Sequence, residues 1–263
     1  ARFGSLLLGR DEQGCDVTAS PRDLPHLVVQ GQTRSGKSAW CYALLAQLAP
    51  RPEVLLAGVD PTGLLLRPFA GSRHAQLQAV GLADPARVVA VLEHLVAELD
   101  RRVATIDPRA DQVATGPSCP VIVVVLEEWP GVLRVLDQLD PKGAARTARA
   151  AVSRLLAEGH KAGLRVVLVC QRADAAVIGG AERANLGGRL SFRVDNADAV
   201  RMLHPSAGPE VIAEHTAAPP GVALLELPDR PVARVRAPWI GGYGPYVDLV
   251  TGAVGPAGQC GAA

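Results

Sequence analysis

Short uninterrupted apolar runs alternate along the chain with longer stretches in which apolar residues recur every three or four positions. The runs at 26–30, 54–59, 121–126 and 166–170 predict strands, with further strands at 190–194 and 222–227. Val121, Ile122, Val123, Val124, Val125 and Leu126 include no polar position. A strand apolar on both faces is buried on both faces, as at the centre of a parallel sheet. Helical spacing predicts helices at 37–48, 85–106 and 144–162. The long one opens with Asp84 as N-cap and Pro85 in the first turn, and Val88, Val91, Leu92, Leu95, Val96 and Leu99 give it one apolar face. Residues 108–120 are polar, contain proline and lack periodicity, which predicts an exposed loop. From Trp239 onward the chain is rich in Gly and Ala with few charges, which predicts irregular extended or partly disordered chain. There is no internal repeat. Strand–helix alternation of this kind implies an α/β domain, a mostly parallel central sheet flanked by helices.

Composition narrows the partners. At 263 residues, 48% hydrophobic and 20% charged, the chain has ample core material, which excludes disorder throughout. A net charge of +1 excludes a basic coat over the whole surface, so any DNA contact must come from a local cluster. Only Lys37, Lys142 and Lys161 of the 27 basic residues are lysine, so each stands out. The cysteines, Cys15, Cys41, Cys119, Cys170 and Cys260, are scattered and never form C-x-x-C, which argues against a disulfide framework or zinc site and for a reducing compartment. The N-terminus lacks the pattern of a signal peptide, and no apolar run reaches the ~18 residues of a membrane span, so an anchor would lie outside these residues.

Three strand ends carry chemistry. Gly31, Gln32, Thr33, Arg34, Ser35, Gly36, Lys37 and Ser38 fit G-x-x-x-x-G-K-[ST], between a predicted strand and a predicted helix. Glycines let successive backbone N–H groups converge on phosphate oxygens at the positive end of the helix. Lys37 is suited to the β- and γ-phosphates of ATP and Ser38 to Mg²⁺. The bland alternative is a glycine-rich surface turn. Glu127 and Glu128 follow the strand at 121–126, where a P-loop ATPase needs an acid near Mg²⁺ at the end of a neighbouring strand and then a base for the attacking water. Glu127 takes the metal position and Glu128 the base; alternatively both merely mark where a strand meets solvent. Gln171 leaves the strand at 166–170 and is placed to touch a γ-phosphate or the attacking water, or else is a polar strand end. His26 reads as a structural strand-end residue and Trp129 as packing.

With these, Leu8-Gly9-Arg10-Asp11, Gly14 and Leu24-Pro25-His26-Leu27-Val28-Val29 resemble the motor domain of FtsK/SpoIIIE-type DNA translocases. So do Val59-Asp60-Pro61, Glu98-Leu99-Asp100-Arg101-Arg102, Ala162-Gly163-Leu164, Cys170-Gln171-Arg172, Ala184-Asn185-Leu186 and the run from Arg189 to Val194. The likeness covers about residues 5–227. Thr33-Arg34-Ser35 and the Leu126-Glu127-Glu128-Trp129-Pro130 run look most like actinobacterial members linked to plasmid or integrative-element transfer. The resemblance implies a RecA-like P-loop NTPase domain over 1–238, entered through a strand and loop segment at 1–24 and followed by the 239–263 tail. It implies ATP and Mg²⁺ as cofactors and a homo-hexameric ring moving double-stranded DNA in conjugative transfer or chromosome partition. The location would be cytoplasmic, at the inner face of the membrane if an anchor is supplied elsewhere.

Some relatives act on the same fold in type VII protein secretion, and a nucleotide-binding scaffold with little turnover is a third reading. A small-molecule kinase ranks last, for want of a recognisable lid or acceptor pocket. Three departures from the family pattern matter. Glu127 stands where Asp is usual. His160 stands where an Arg often reaches the neighbour's site, so Lys161, Arg154 or Arg172 would have to supply that charge. Nothing after Leu227 resembles a DNA-reading winged helix. The DNA contacts would fall on Lys142, Arg146 and Arg149, unless these are a solvated helix face.

Overall fold

The computed structural model describes residues 4–140, 143–173 and 179–255. Ten strands form one sheet: β1 (Leu6–Asp11), β2 (Asp16–Ala19), β3 (Leu27–Gln30), β4 (Val54–Asp60), β5 (Gln78–Val80), β6 (Val121–Leu126), β7 (Leu164–Cys170), β8 (Gly188–Phe192), β9 (Val222–Leu227) and β10 (Arg230–Arg236). Their order is β2-β1-β10-β9-β8-β3-β7-β6-β4-β5. The six strands from β8 to β5 run parallel, and the four beyond β8 are antiparallel. This bears out the α/β reading.

The continuous apolar strands are two-faced by alternation. Val29, Val121, Val123, Val125, Val167 and Val169 face one core with α1 (Lys37–Leu48). Val28, Ile122, Val124, Leu126, Val166 and Leu168 face the other, with α2 (Pro85–Val103), α3 (Trp129–Leu139) and α4 (Ala144–Glu158). Asp84 caps α2 as expected, accepting from the Arg87 N–H at 3.2 Å. Helices α2 and α4 end short of their predicted limits, and α5 (Gly180–Asn185), α6 (Ala197–Leu203) and α7 (Pro209–Thr216) are too short to leave a clear period.

Two expectations need correction. The chain after Trp239 is not irregular throughout: α8 (Tyr243–Val254) packs on the α1 side of the sheet. Tyr246 and Val250 are fully buried, the Tyr246 ring stacks on Tyr42 at 4.8 Å, and its hydroxyl donates to the Leu65 carbonyl. Gly and Pro give this segment weak helix propensity, and burial of its two anchors overrides that. The acidic strand is also not the P-loop strand's neighbour. β7 lies between β3 and β6, so the Gln171 strand separates the P-loop from the glutamates.

Candidate active site

The parallel strands deliver their carboxyl ends to one edge of the sheet. β3 leads into the P-loop and then α1, which begins at Lys37 as predicted. The turn closes because Gly36 sits at φ 111°, a left-handed conformation that strains other residues. It also needs Gly36 for space: a Cβ there would lie 2.7 Å from the Gly221 nitrogen. No side chain caps α1 and no acid occupies its first turn, so its positive end is open to an anion.

Lys37 is buried, and its Nζ donates to Glu128 Oε1 at 2.8 Å. Glu128 sits at the N-cap of α3 with φ 44° and ψ 43°. It and Arg34 (φ 63°) are the only non-glycine residues with positive φ among those described. Such backbone costs on the order of 1–3 kcal/mol and clusters at functional sites. Glu127, one step earlier, is pinned by its N–H to the Val59 carbonyl at 2.9 Å. Its carboxyl is pushed up to about 7 by burial, reinforced by Asp60 and Glu128 and opposed by Lys37. Its Oε2 is buried without a hydrogen-bond partner, as is Ser35 Oγ in the P-loop.

Asp60 does something different. Fully buried at the end of β4, it accepts from the N–H groups of Thr62, Gly63, Leu65 and Leu66 and from the Thr62 hydroxyl, at 2.8–3.1 Å. Its acceptor capacity is spent on holding that loop. Gln30 is likewise committed: its amide bridges Ser191, the Ala199 carbonyl and the Ala173 N–H.

A cavity of about 390 Å³ opens over the P-loop, lined by Gln32, Thr33, Arg34, Gly36, Lys37, Ser38 and Ala39, with Glu128 and Gln171 opposite. The structure thus brings the P-loop, the predicted base and the predicted γ-phosphate contact to one space. Pro220 and Trp239 also line it, and neither was legible as a site residue. Their only local signals are the Pro219-Pro220-Gly221 turn and a Trp in glycine-rich chain.

An open helix N-terminus, a buried lysine and two unpartnered buried oxygens fit a magnesium nucleotide. Residues 4–116 match the model of the FtsK/SpoIIIE family. The chain carries an FtsK/SpoIIIE family domain. The DNA translocase FtsK of Mycobacterium tuberculosis is 30% identical over 218 residues, 77% of this chain and 26% of that protein. The DNA translocase FtsK of Staphylococcus aureus is 27% identical over 222 residues, 77% of this chain and 27% of that protein. The chain therefore spans about a quarter of the length of these curated relatives. Among solved structures, the cytoplasmic domain of the Thermomonospora curvata type VII secretion ATPase EccC superposes with a TM-score of 0.71 at 19% identity, covering 97% of this chain and 32% of that one. The pCW3 conjugation coupling protein TcpA gives 0.67 at 18% identity, covering 94% of this chain and 71% of that one. These likenesses establish the P-loop ATPase fold.

The four candidate trans-acting cations, all beyond the matched residues 4–116, are dispersed. Arg172 follows the cavity-lining Gln171 after β7 and lies 3.8 Å from Asp195. Arg154 lies on α4, paired with Asp100 at 2.7 Å and Glu158 at 3.3 Å. His160 and Lys161 precede β7, at the opposite edge of the sheet. The seven-residue strand puts them about 20 Å from Gln171. The His160 ring lies 6.2 Å from His26, and burial, then Arg165, lower its pKa. His26 is structural as expected: Nδ1 accepts from the Val166 N–H at 3.0 Å. Trp129 is buried in the α3 core. Of the expected DNA contacts, Arg146 is exposed on α4, Arg149 is 3.8 Å from Asp137, and Lys142 lies outside the described residues. No described helix is long and apolar enough to cross a membrane.

Proposed function

We propose that this chain is the ATP-hydrolysing motor domain of a ring that moves double-stranded DNA, in conjugative transfer or chromosome partition. The observation that carries the enzymatic half is the 2.8 Å pair between Lys37 Nζ and Glu128 Oε1 across the P-loop cavity. A phosphate-binding cation and a carboxylate in contact, beside Gln171, form the constellation that hydrolysis of a phosphoanhydride requires. The translocation half rests on the family domain.

Bound Mg·ATP supplies the scissile phosphoanhydride and the cation that neutralises its charge. The P-loop N–H groups and the start of α1 orient phosphate, and Ser38 and Glu127 would hold Mg²⁺. Lys37, on turning to phosphate, releases Glu128, which then accepts the proton of the attacking water. Gln171 orients that water. Pairing Lys37 with Glu128 keeps the base occupied until phosphate arrives. Glu127 suits the metal position because a neighbouring dication favours its ionised form and offsets the burial that raises its pKa.

His160 and Lys161, at the far edge, serve a neighbouring copy if they serve nucleotide at all, and a homo-hexamer brings far edge and cavity together. Of the four candidates, Arg172 is the one next in sequence to a cavity-lining residue, Gln171. Arg146, Arg149 and Lys142 contact DNA phosphates.

The test is ATP turnover per subunit against protein concentration, with and without long duplex DNA. Turnover that rises with both supports an assembled DNA motor. Turnover indifferent to DNA favours the protein-secretion reading, and binding without turnover favours the scaffold.

A further inference from the structure

The chain contains three tryptophans, and their environments differ sharply. Trp40 and Trp129 are buried at 1% and 2% exposure, whereas Trp239 is 69% exposed. A single exposed aromatic is unremarkable on a surface. Trp239 is different because it lines the P-loop cavity on a segment tied to the phosphate cradle.

The tie has two links. The Gly221 N–H donates to the Ser35 carbonyl at 2.9 Å, and the Ala237 N–H donates to the Gly221 carbonyl at 2.8 Å. Backbone therefore runs from P-loop to Gly221 to a point two residues before Trp239. The space that makes the first link possible is the missing Cβ of Gly36. On the other side, Ala237 and Ile240 pack against the core and α8 anchors on Tyr246. Trp239 is held between fixed points while its own ring stays in solvent. A large apolar ring kept exposed at a set place beside a phosphate cradle has the character of a stacking platform, with Pro220 as a second apolar wall.

We propose that Trp239 is the platform on which the base of the bound nucleotide stacks. This rests on the nucleotide reading of the P-loop and adds how the non-phosphate end is recognised. Stacking on an aromatic face tolerates any base, because every base has a π-face. The platform therefore selects for the presence of a base and discriminates adenine from guanine weakly.

The experiment compares binding of ATP, GTP and inorganic tripolyphosphate to the parent chain, Trp239→Ala and Trp239→Phe, by calorimetry and tryptophan emission. The parent should bind both nucleotides roughly five- to a hundredfold tighter than tripolyphosphate, and ATP should quench the exposed tryptophan. Trp239→Ala should lose that excess for ATP and GTP alike and keep the tripolyphosphate affinity; Trp239→Phe should restore most of it. If Trp239→Ala binds ATP as the parent does, or loses ATP and tripolyphosphate equally, the stacking assignment is overturned while the P-loop reading stands. A variant that changes only the concentration at which copies associate makes Trp239 a subunit contact and also overturns it. If the parent binds none of the three ligands, the P-loop reading falls and the platform with it.

Discussion

The two edges of the same parallel strands obey different rules. At the carboxyl edge sit both non-glycine residues with left-handed backbone, Arg34 and Glu128, together with the unpartnered Ser35 Oγ and Glu127 Oε2. At the amino edge, Arg165 and one nitrogen of His26 are tied into the backbone, while His26 Nε2 is buried without a partner. Arg165, 1% exposed, donates to the carbonyls of Arg22, His160 and Leu164, and His26 receives the Val166 N–H. Burial pushes His26 down to about 3, so it stays neutral there. One edge spends polar groups on holding strands together. The other also satisfies Asp60 and Gln30, but it carries the strained backbone of Arg34 and Glu128 and two unpartnered oxygens beside the P-loop, as expected where a ligand completes the site.

The contrast can be broken first at the glutamates. Glu128→Gln should keep nucleotide binding but lower turnover by roughly 10²–10⁴-fold, because an amide cannot accept the water's proton. Glu127→Gln should instead raise the Mg²⁺ concentration needed for half-maximal turnover. The opposite assignment of effects, in Mg²⁺ titrations of both variants, would mean that the two roles are exchanged.

Next comes the amino edge. Arg165→Met removes a donor from three carbonyls, of which His160 keeps the Gly163 N–H, and should cost about 2–4 kcal/mol of stability in urea unfolding. ATP affinity of the folded variant should match the parent. A loss of affinity would show that the two edges are coupled.

A smaller effect follows from the raised pKa of Glu127. Its folded pKa is about 7 against an ordinary 4.5, so between those values the folded state holds a proton that the unfolded chain has released. Its contribution therefore becomes less favourable as pH rises from about 4.5 through about 7, and the penalty is complete above that. Buried neutral histidines such as His26 work in the opposite sense below their unfolded pKa, so the informative quantity is a difference. Glu127→Gln should gain stability relative to the parent as pH rises from 5 to 8, by about 1 kcal/mol after allowing for partial exposure. A flat difference would remove the burial argument.

The smallest effect is at Arg34. Arg34→Gly relieves a left-handed residue at some cost in chain entropy, for a net gain of up to about 1 kcal/mol. A drop in thermal stability would show that the Arg34 side chain, not its backbone, matters to the apo fold.

Local chemistry was readable from the sequence because its causes are local. The P-loop is a succession of backbone groups, and the helix from Lys37 to Leu48 and the strand from Val121 to Leu126 match their predicted limits. Their signals are a short-range motif and a period of apolar positions. Bringing Glu128 and Gln171 to the P-loop cavity was also anticipated, since parallel strands deliver their carboxyl ends to one edge. Strand order was not legible: an all-apolar strand is equally content at any central position, so nothing local puts β7 between β3 and β6. Tertiary structure alone decided that Tyr243–Val254 is a helix, because burying Tyr246 and Val250 outweighs poor propensity. It alone brought Pro220 and Trp239 to the nucleotide cavity, through backbone hydrogen bonds donated by Gly221 to Ser35 and by Ala237 to Gly221. Contacts between residues some 200 positions apart leave no period in a sequence, and only the folded chain, by closing those loops, reveals them.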